Sequence, residues 1–203
     1  MKNFVIRRET PADYRAAEQL TREAFWNVYR PGCLEHYVLH QFRDRQEFVP
    51  ELDLVMEADG EIVGHVMYVR AAIRTDDGRE IPVMTFGPIS IAPRLQHQGY
   101  GGRLLRFSVE QAKNMGAGAL VITGNIGFYG KHGFVEAKSR GVRYAADPEA
   151  EYLLIAELEP GFLDGVSGVY QDPEGYFVDE GEAEVFDASF PFKEKLKDPA
   201  QLF

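Results

Sequence analysis

The chain has 203 residues, enough for one domain with a sizeable core, and its 45% hydrophobic and 12% aromatic content argues against a disordered protein. A formal net charge of −10 with a pI near 5.0 argues against a nucleic-acid-binding surface, as does the lack of any Lys or Arg block. The single cysteine excludes an intramolecular disulfide, and since we find no signal-peptide pattern or long apolar span, we expect a cytoplasmic protein.

The first part of the chain predicts a strand, two helices and a hairpin. A short strand is expected at residues 4–6. Thr10 followed by Pro11 is typical of a helix N-cap and first helical position, and this helix should run to about Trp26. A second helix is expected at residues 34–45, followed by a hairpin of strands 53–58 and 62–71 about Asp59-Gly60 and a third strand.

The third strand leads into a glycine-rich turn and then a helix, within residues 89–105. Pro93 ends the strand, and Gly99, Gly101 and Gly102 allow a tight turn that a ligand can approach closely. The first amides of a helix lack intrahelical partners, and the macrodipole adds partial positive charge there, so a pyrophosphate fits this position. The alternative is a simple turn, because a lone Gly-x-Gly is a weak signal.

The helix after the glycines should continue to Gly116, and a second apolar strand follows at residues 119–123, at crossover length for a parallel pair. Gln96 stands three residues before Gly99. The dinucleotide fingerprint is incomplete, because Leu104 occupies the place of its third glycine and no acidic residue ends the second strand. The absence of a Lys-Ser/Thr pair after the glycines argues against a mononucleotide-binding loop.

The later elements complete a mixed α/β (α+β) sheet protein. Strands are expected at residues 135–137 and 152–158, and this order of elements differs from an alternating doubly wound fold. We predict a single domain over residues 1–203, with a core at about 3–158 and a C-terminal extension at about 159–203. Aromatic side chains of the extension should pack against the core, with a lid over an acceptor pocket as the alternative.

Two segments together resemble the GNAT acetyltransferases, in the order and separation that this family shows. The resemblance is strongest over about residues 83–136, and the chain is similar to an uncharacterised bacterial branch with a longer C-terminal part. It implies a GNAT-like fold, in which a central mixed sheet flanked by helices is splayed at two parallel strands. The two segments are Gln96-x-x-Gly99-x-Gly101 and Asn125-Ile126-Gly127-Phe128-Tyr129-Gly130-Lys131-His132-Gly133-Phe134.

The resemblance implies that acyl-CoA lies between the two splayed strands. Backbone at Ile89 and Ile91 would pair with the pantetheine arm, and one of these amides would polarise the thioester carbonyl. The side chain of Asn125 would hydrogen-bond the pantetheine, and Phe128 would cover its apolar part. The implied residues at the pyrophosphate are Gln96 of the motif and the backbone amides of Gln98, Gly99, Tyr100, Gly101, Gly102 and Arg103.

Tyr129 is the candidate general acid. Attack by an amine expels a CoA thiolate, whose parent thiol has a pKa of about 8.5, and a tyrosine with a pKa of about 10 can give it a proton. The alternative is a packed tyrosine whose hydroxyl has another partner.

Residues 26–36 form the candidate acceptor site, because they carry aromatic rings, a carboxylate and an imidazole close together. Glu35 or His36 could bind the amine or accept its proton. The alternative is a capped helix start with solvated charges. Cys33 is expected to be buried or incidental, and His65 could face either the core or the cleft.

The sequence thus predicts an N-acetyltransferase that transfers acetyl from acetyl-CoA to a primary amine of a small molecule, by direct attack in a ternary complex. Acetyl-CoA is the co-substrate, no metal is expected, and a homodimer is possible, with neither nucleic acid nor membrane as partner. One enzymatic alternative uses a longer acyl group or a peptide N-terminus. An alternative of another class is a non-catalytic CoA-binding or sensing module.

Overall fold

The computed structural model describes residues 4–199 and 201, so residues 1–3, 200, 202 and 203 of the predicted domain lie outside the described part. The described elements form a mixed α/β fold with a partly parallel sheet, which confirms the predicted fold class. The strands are β1 (Phe4–Arg8), β2 (Leu54–Ala58), β3 (Glu61–Thr75), β4 (Glu80–Ile91), β5 (Ala119–Thr123), β6 (Val135–Glu136), β7 (Val142–Tyr144), β8 (Leu153–Glu157) and β9 (Gly168–Tyr170). The helices are α1 (Tyr14–Phe25), α2 (Glu35–Phe42), α3 (Tyr100–Asn114), α4 (Ile126–Tyr129) and α5 (Glu180–Asp187). Short 3-10 turns occupy Pro50–Leu52, Pro93–Leu95, Gly130–His132, Ala137–Arg140 and Glu174–Tyr176.

The chain packs as two compact units, and three elements, β3, β4 and α3, contribute residues to both. The first unit contains the described parts of 1–67, 88–105 and 174–203, and the second contains 68–87 and 106–173. The single domain over residues 1–203 remains a prediction. In the described part of the chain, no helix combines the length and apolar character that a bilayer crossing needs.

In the first unit, antiparallel strands lie against α1. Strand β2 pairs with both β1 and β3, and a bulge interrupts the second ladder at Met56 and Glu57. The buried hydroxyl of Ser90, in β4, donates a 2.9 Å hydrogen bond to the hydroxyl of Thr21 in α1. A Cβ at Gly64 would lie 2.9 Å from Cδ1 of Ile91, so glycine allows β3 to pass close to this side chain.

In the second unit, β4 and β5 are parallel neighbours joined at Met84 and Leu120, as expected for two strands linked by a helical crossover. Strand β5 pairs antiparallel with β8, which also pairs with β6. Strand β9 is parallel to β7 and antiparallel to β3. The core of this unit includes the buried side chains of Ile73, Val83, Val121, Ile155, Leu163 and Tyr170.

The N-terminal helix begins later than the sequence predicted. The carboxylate of Asp13 accepts hydrogen bonds from the backbone N and the hydroxyl of Thr10, at 2.9 and 2.7 Å, and it also pairs with Arg7 at 2.7 Å. These contacts make residues 10–13 a turn, and α1 begins only at Tyr14. The predicted N-cap at Thr10 is therefore wrong.

The later part of the chain is more regular than predicted, since β7, β9 and α5 were all missed. Strands β7 and β9 have three residues each and are stabilised by pairing with other strands. Such short pieces leave no periodicity in the sequence. The expected packing of aromatic side chains holds for Tyr170 and Phe190, which are buried, whereas Phe192 is 95% exposed.

Candidate functional site

In the loop between β4 and α3, Gly99 has the backbone geometry predicted for a tight turn, whereas Gly101 and Gly102 lie in the first turn of α3. Gly99 has a φ of 86°, in the left-handed region that favours glycine, and no described atom beyond its chain neighbours lies within 4 Å of the place a Cβ would take. Helix α3 begins at the next residue, Tyr100. The start of α3 thus follows an open turn, which is the arrangement that binds phosphate groups.

Two glutamine side chains hold this loop from within. Nε2 of Gln96 donates to the carbonyl of Ile91 at 3.1 Å, and Nε2 of Gln98 donates to the carbonyl of Arg94 at 2.9 Å. Between them, His97 has a φ of 58°, an uncommon conformation for a residue other than glycine. The side chain of Gln96 therefore shapes the loop.

Aromatic packing supports the first turn of α3. The buried ring of Tyr100 meets the ring of Phe4 edge-on, with 6.0 Å between centroids. The guanidinium carbon of Arg103 lies 5.5 Å from the centroid of the same Phe4 ring. At the end of β4, Ile91 is buried and Ile89 is partly exposed. The predicted pyrophosphate residues thus belong to one continuous segment of the first unit.

In the second unit, β5 ends in the turn that carries Asn125, Phe128 and Tyr129. Oδ1 of Asn125 accepts a 2.7 Å hydrogen bond from the amide of Gly127, and its backbone carbonyl accepts 3.0 Å bonds from the amides of Phe128 and Tyr129. Asn125 is therefore the N-cap of α4. Phe128 is 38% exposed and Tyr129 is partly buried.

The ring of Tyr129 packs among aromatic side chains of the second unit. Its centroid lies 4.9 Å from that of Phe128, 5.6 Å from that of Phe134 and 6.0 Å from that of Phe86. The pKa of Tyr68 is raised above its ordinary value, chiefly by burial and also by an electrostatic interaction with Tyr129. The orientation of the Tyr129 ring is thus set by packing.

The predicted acceptor segment, residues 26–36, lies against the C-terminal part of the first unit. Nε1 of the buried Trp26 donates to the carbonyl of Glu194 at 2.8 Å. The amide of Asn27 donates to the carbonyl of Gly32 at 2.8 Å, and Asn27 has a φ of 60°. The residues between α1 and α2 therefore form a closed turn.

His36 is enclosed within the first unit. Its side chain is 0% exposed, with Nδ1 3.3 Å from Sγ of Cys33 and Nε2 3.0 Å from Oδ1 of Asp187. The rings of Phe186 and Phe190 lie 5.4 and 5.3 Å away. Burial lowers the pKa of His36 to about 4 and raises the pKa of the Cys33 thiol well above its ordinary value, so both groups are neutral near pH 7. Cys33 is buried, which confirms that expectation.

Glu35 has a different environment from its neighbour His36. It is partly exposed, and its Oε2 accepts a 3.0 Å hydrogen bond from the amide of Leu34. Burial raises the pKa of Glu35, and burial together with the Glu35 charge raises the pKa of Tyr29. Glu35 is therefore the more accessible of the two predicted bases.

Sequence reasoning missed a buried charged network in the first unit. Oδ1 of Asp53 lies 2.7 Å from Nε2 of His65, and Arg43 pairs with Glu9 at 3.0 Å and with Glu18 at 2.6 Å. The potential ligand atoms of Glu9, Asp53 and His65 all lie within 4.8 Å of one another. Glu9 pairs with Arg43, and Asp53 pairs with Nε2 of His65, so the three groups belong to one network, in which the buried Nδ1 of His65 has no hydrogen-bond partner among the described residues.

The network contains groups with strongly shifted pKa values. Burial, with a further contribution from a hydrogen bond to Asp53, raises the pKa of Glu9 to about 8. Burial also raises the pKa of Asp53 and lowers that of His65 to about 4. The hairpin pattern could have placed Asp53 near His65, because Val55 pairs with His65 and residue 53 points to the same face. No local signal pointed to Glu9.

The chain also matches known proteins. The family model described as "Acetyltransferase (GNAT) family" matches residues 18–134, which include the glycine loop and the turn after β5. In sequence, the chain is 33% identical over 86 residues to the uncharacterized N-acetyltransferase YjhQ of Escherichia coli K12. That match covers 42% of this chain and 46% of YjhQ, so it spans less than half of the relative.

Two solved structures are similar over most of their length. The GNAT family N-acetyltransferase YhbS from Escherichia coli, in complex with CoA, has a TM-score of 0.75 at 22% identity, covering 87% of this chain and 93% of YhbS. A GNAT family acetyltransferase from Brucella melitensis, in complex with acetyl-CoA, has a TM-score of 0.69 at 26% identity, covering 87% of this chain and 100% of that one. Because the family model covers more than half of the sequence, the chain belongs to the GNAT acetyltransferase family.

Proposed function

We propose that this protein transfers the acetyl group of acetyl-CoA to a primary amine of a small molecule, by direct attack in a ternary complex. The observation that carries the proposal is the open, left-handed turn at Gly99 that leads directly into α3. Family membership and the CoA and acetyl-CoA complexes of the two structural relatives support the choice of donor. The acceptor class and a possible homodimer belong to the same proposal.

In the first unit, the amides of residues 98–103 would bind the pyrophosphate at the start of α3, where the helix dipole adds partial positive charge. Backbone groups of Ile89 and Ile91 would pair with the pantetheine arm, in the manner of an added strand. Gln96 would act indirectly, because its side chain is already bonded to the carbonyl of Ile91.

In the second unit, the turn after β5 would contribute two side chains to the donor and one to the chemistry. Oδ1 of Asn125 is used by the helix cap, so its Nδ2 would donate to a pantetheine carbonyl. The exposed face of Phe128 would cover an apolar part of the arm. The hydroxyl of Tyr129 would protonate the leaving thiolate.

The reaction needs three proton transfers. The amine nitrogen attacks the thioester carbon, the carbon–sulfur bond breaks, and the thiolate sulfur takes a proton from Tyr129. Before it attacks, the amine loses one proton to a base, because a lysine-like amine with a pKa of about 10.4 is protonated near neutral pH. After the attack the nitrogen loses its second proton, which returns Tyr129 to the neutral phenol. Glu35 is the preferred base, since His36 could meet a substrate only if α5 moved away from it.

The proposal is tested by free-thiol release from acetyl-CoA in the presence of a panel of small amines and peptides, with mass spectrometry of the products. We expect thiol release that depends on a small primary amine, with a product heavier by one acetyl group. Binding of CoA without release for any acceptor would contradict an enzymatic role and favour a CoA-binding module. Preference for longer acyl donors or for peptides would contradict the substrate class alone.

The choice of base has its own test. The pH–rate profile of Glu35→Gln should lose the ionisation that controls turnover in the wild-type protein, because glutamine cannot accept the proton. His36→Gln serves as the matched comparison at the adjacent position. If Glu35→Gln and Glu35→Gln/His36→Gln both kept the wild-type profile and acceptor affinity, the base would have to be another residue or water.

A further inference from the structure

Gly124, between the end of β5 and the Asn125 cap, lies unusually close to the ring of Tyr129. A Cβ built on Gly124 would stand 2.5 Å from Cε2 of Tyr129, 2.8 Å from its Cδ2 and 3.5 Å from its Cζ. These ring atoms are the three nearest neighbours of that position. A distance under 3.0 Å is shorter than van der Waals contact permits, so any larger residue requires the ring or the backbone to move.

The backbone around Gly124 is fixed on both sides. Its amide donates a 2.8 Å hydrogen bond to the carbonyl of Tyr152, in the second unit. The next residue, Asn125, accepts the amides of Phe128 and Tyr129 at 3.0 Å each, and its side chain caps α4. A shift of Gly124 away from the ring would stretch these bonds, so the ring is the part that must yield.

The ring of Tyr129 is also confined on its other sides. The rings of Phe128, Phe134 and Phe86 lie with centroids at 4.9, 5.6 and 6.0 Å from it. A ring pushed away from Gly124 would therefore move into these neighbours, and its hydroxyl would move with it. No sequence pattern predicts this contact, because a glycine before the Asn125 motif is typical of an ordinary turn.

We propose that Gly124 is a positioning residue for Tyr129: the missing side chain at this position sets where the Tyr129 hydroxyl is presented. This inference rests on the proposed function, in which that hydroxyl protonates the CoA thiolate. Gly124 itself touches no substrate. Because Gly124 has no side chain, the Tyr129 ring can lie directly against it, in an orientation that a Cβ at this position would prevent.

The first test measures turnover with saturating acetyl-CoA for Gly124→Ala, Tyr129→Phe and the double variant. Gly130→Ala is the matched control, because a Cβ there would find only ordinary contacts, at 3.4 Å and beyond, with Ile126. A misplacement of about 1 Å in a catalytic group costs up to about 10²-fold, so we expect Gly124→Ala to lower kcat by about tenfold or more. Calorimetric CoA affinity should stay close to that of Gly130→Ala.

The double variant distinguishes positioning from a general structural effect. Once the hydroxyl is absent, in Tyr129→Phe, adding Gly124→Ala should change kcat by less than about twofold, because the two substitutions remove the same contribution. An equal loss in both backgrounds would overturn the inference, and so would a Gly124→Ala protein as active as Gly130→Ala. Full activity of Tyr129→Phe would instead refute the acid role, and no thiol release by the wild type would refute the function.

A second test measures thermal stability, so it does not depend on enzymatic activity and still applies if Gly124→Ala destabilises the protein. Gly124→Ala should lower Tm in the wild-type background, by roughly 3 °C or more for a chain of this size. In the Tyr129→Ala background the same change should cost almost nothing, because the atoms it would meet are gone. Equal losses of Tm in the two backgrounds would show that Gly124 does not set the position of the ring, and would overturn the inference.

Discussion

The two loops of the first unit that sequence motifs singled out are built in opposite ways. The loop between β4 and α3 depends on backbone: a left-handed Gly99, an exposed turn, and glutamine side chains bonded to carbonyls a few residues away. The predicted acceptor segment, residues 26–36, depends on side chains, and its His36 is enclosed by Phe186 and Asp187 of the distant α5. A local pattern was enough to predict the first loop, whereas the environment of His36 was decided by residues about 150 positions away.

His36→Ala should have the largest effect on stability. The substitution removes a fully buried ring between Phe186 and Phe190 and leaves Asp187 without its imidazole partner. Large-to-small core changes of this kind cost about 3 kcal/mol in the free energy of unfolding. Denaturant titration measures it, and His40→Ala, whose side chain is half exposed on the same helix, should cost clearly less. CoA affinity should be unchanged, since an enclosed side chain does not meet the donor. A His36→Ala protein as stable as His40→Ala would remove the contrast between the two loops.

Gly101→Val should have the opposite signature, with a large loss of CoA affinity and little loss of stability. A β-branched side chain in the first turn of α3 obstructs the approach of phosphate to the helix amides. We expect CoA affinity to fall by about 10²-fold, equivalent to about 2.7 kcal/mol. Isothermal calorimetry measures it, with Gly101→Ala as a graded control that should lose less. An unchanged affinity in folded Gly101→Val would show that the pyrophosphate binds elsewhere.

The buried network predicts that the free energy of unfolding falls as pH rises above about 7. The pKa of Glu9 is about 8 in the folded protein and about 4.5 when unfolded, so the folded state holds one more proton between these values. In the unfolded chain His36 and His65 have the ordinary pKa of about 6.5, so they oppose this trend near that pH and are mostly neutral in both states only above pH 7. Stability should therefore drop by about 1 kcal/mol between pH 7 and 8.5, because the slope for one proton is at most about 1.36 kcal/mol per pH unit. Urea titrations across this range measure the slope, and Glu9→Gln should abolish it. If the free energy of unfolding of Glu9→Gln fell with pH as steeply as that of the wild type, the extra proton of the folded state would belong to another group.

Cys33 should give the smallest effect. Its thiol is buried beside His36, and burial raises its pKa, so little thiolate exists near neutral pH. We expect iodoacetamide to label the folded protein at less than about a tenth of the rate seen in urea. Mass spectrometry of the labelled chain measures this, and His36→Ala should speed labelling by opening the enclosure. Rapid labelling of the wild-type protein would mean that the segment between α1 and α2 opens readily.

The sequence determined the features whose physics is local. The Asp59-Gly60 turn between two strand-forming runs predicted the hairpin, and the apolar run at Ala119–Thr123 predicted β5 with its bounds. Gly99 predicted the turn before α3, because few other residues adopt its backbone angles. The Asn125 motif also has a local basis, because the Asn125 side chain caps α4 by accepting the amide of Gly127, two residues away. A sequence pattern was therefore enough to indicate the family.

The tertiary structure alone decided what surrounds each reactive side chain. His36 and Glu35 are adjacent in sequence, yet one is enclosed by α5 and the other remains partly exposed. The ring of Tyr129 packs against Phe86 and Phe134 and lies so close to Gly124 that a Cβ on this residue would overlap the ring. Burial and close approach are properties of the packed chain, because they are set by residues from distant positions that meet only after folding.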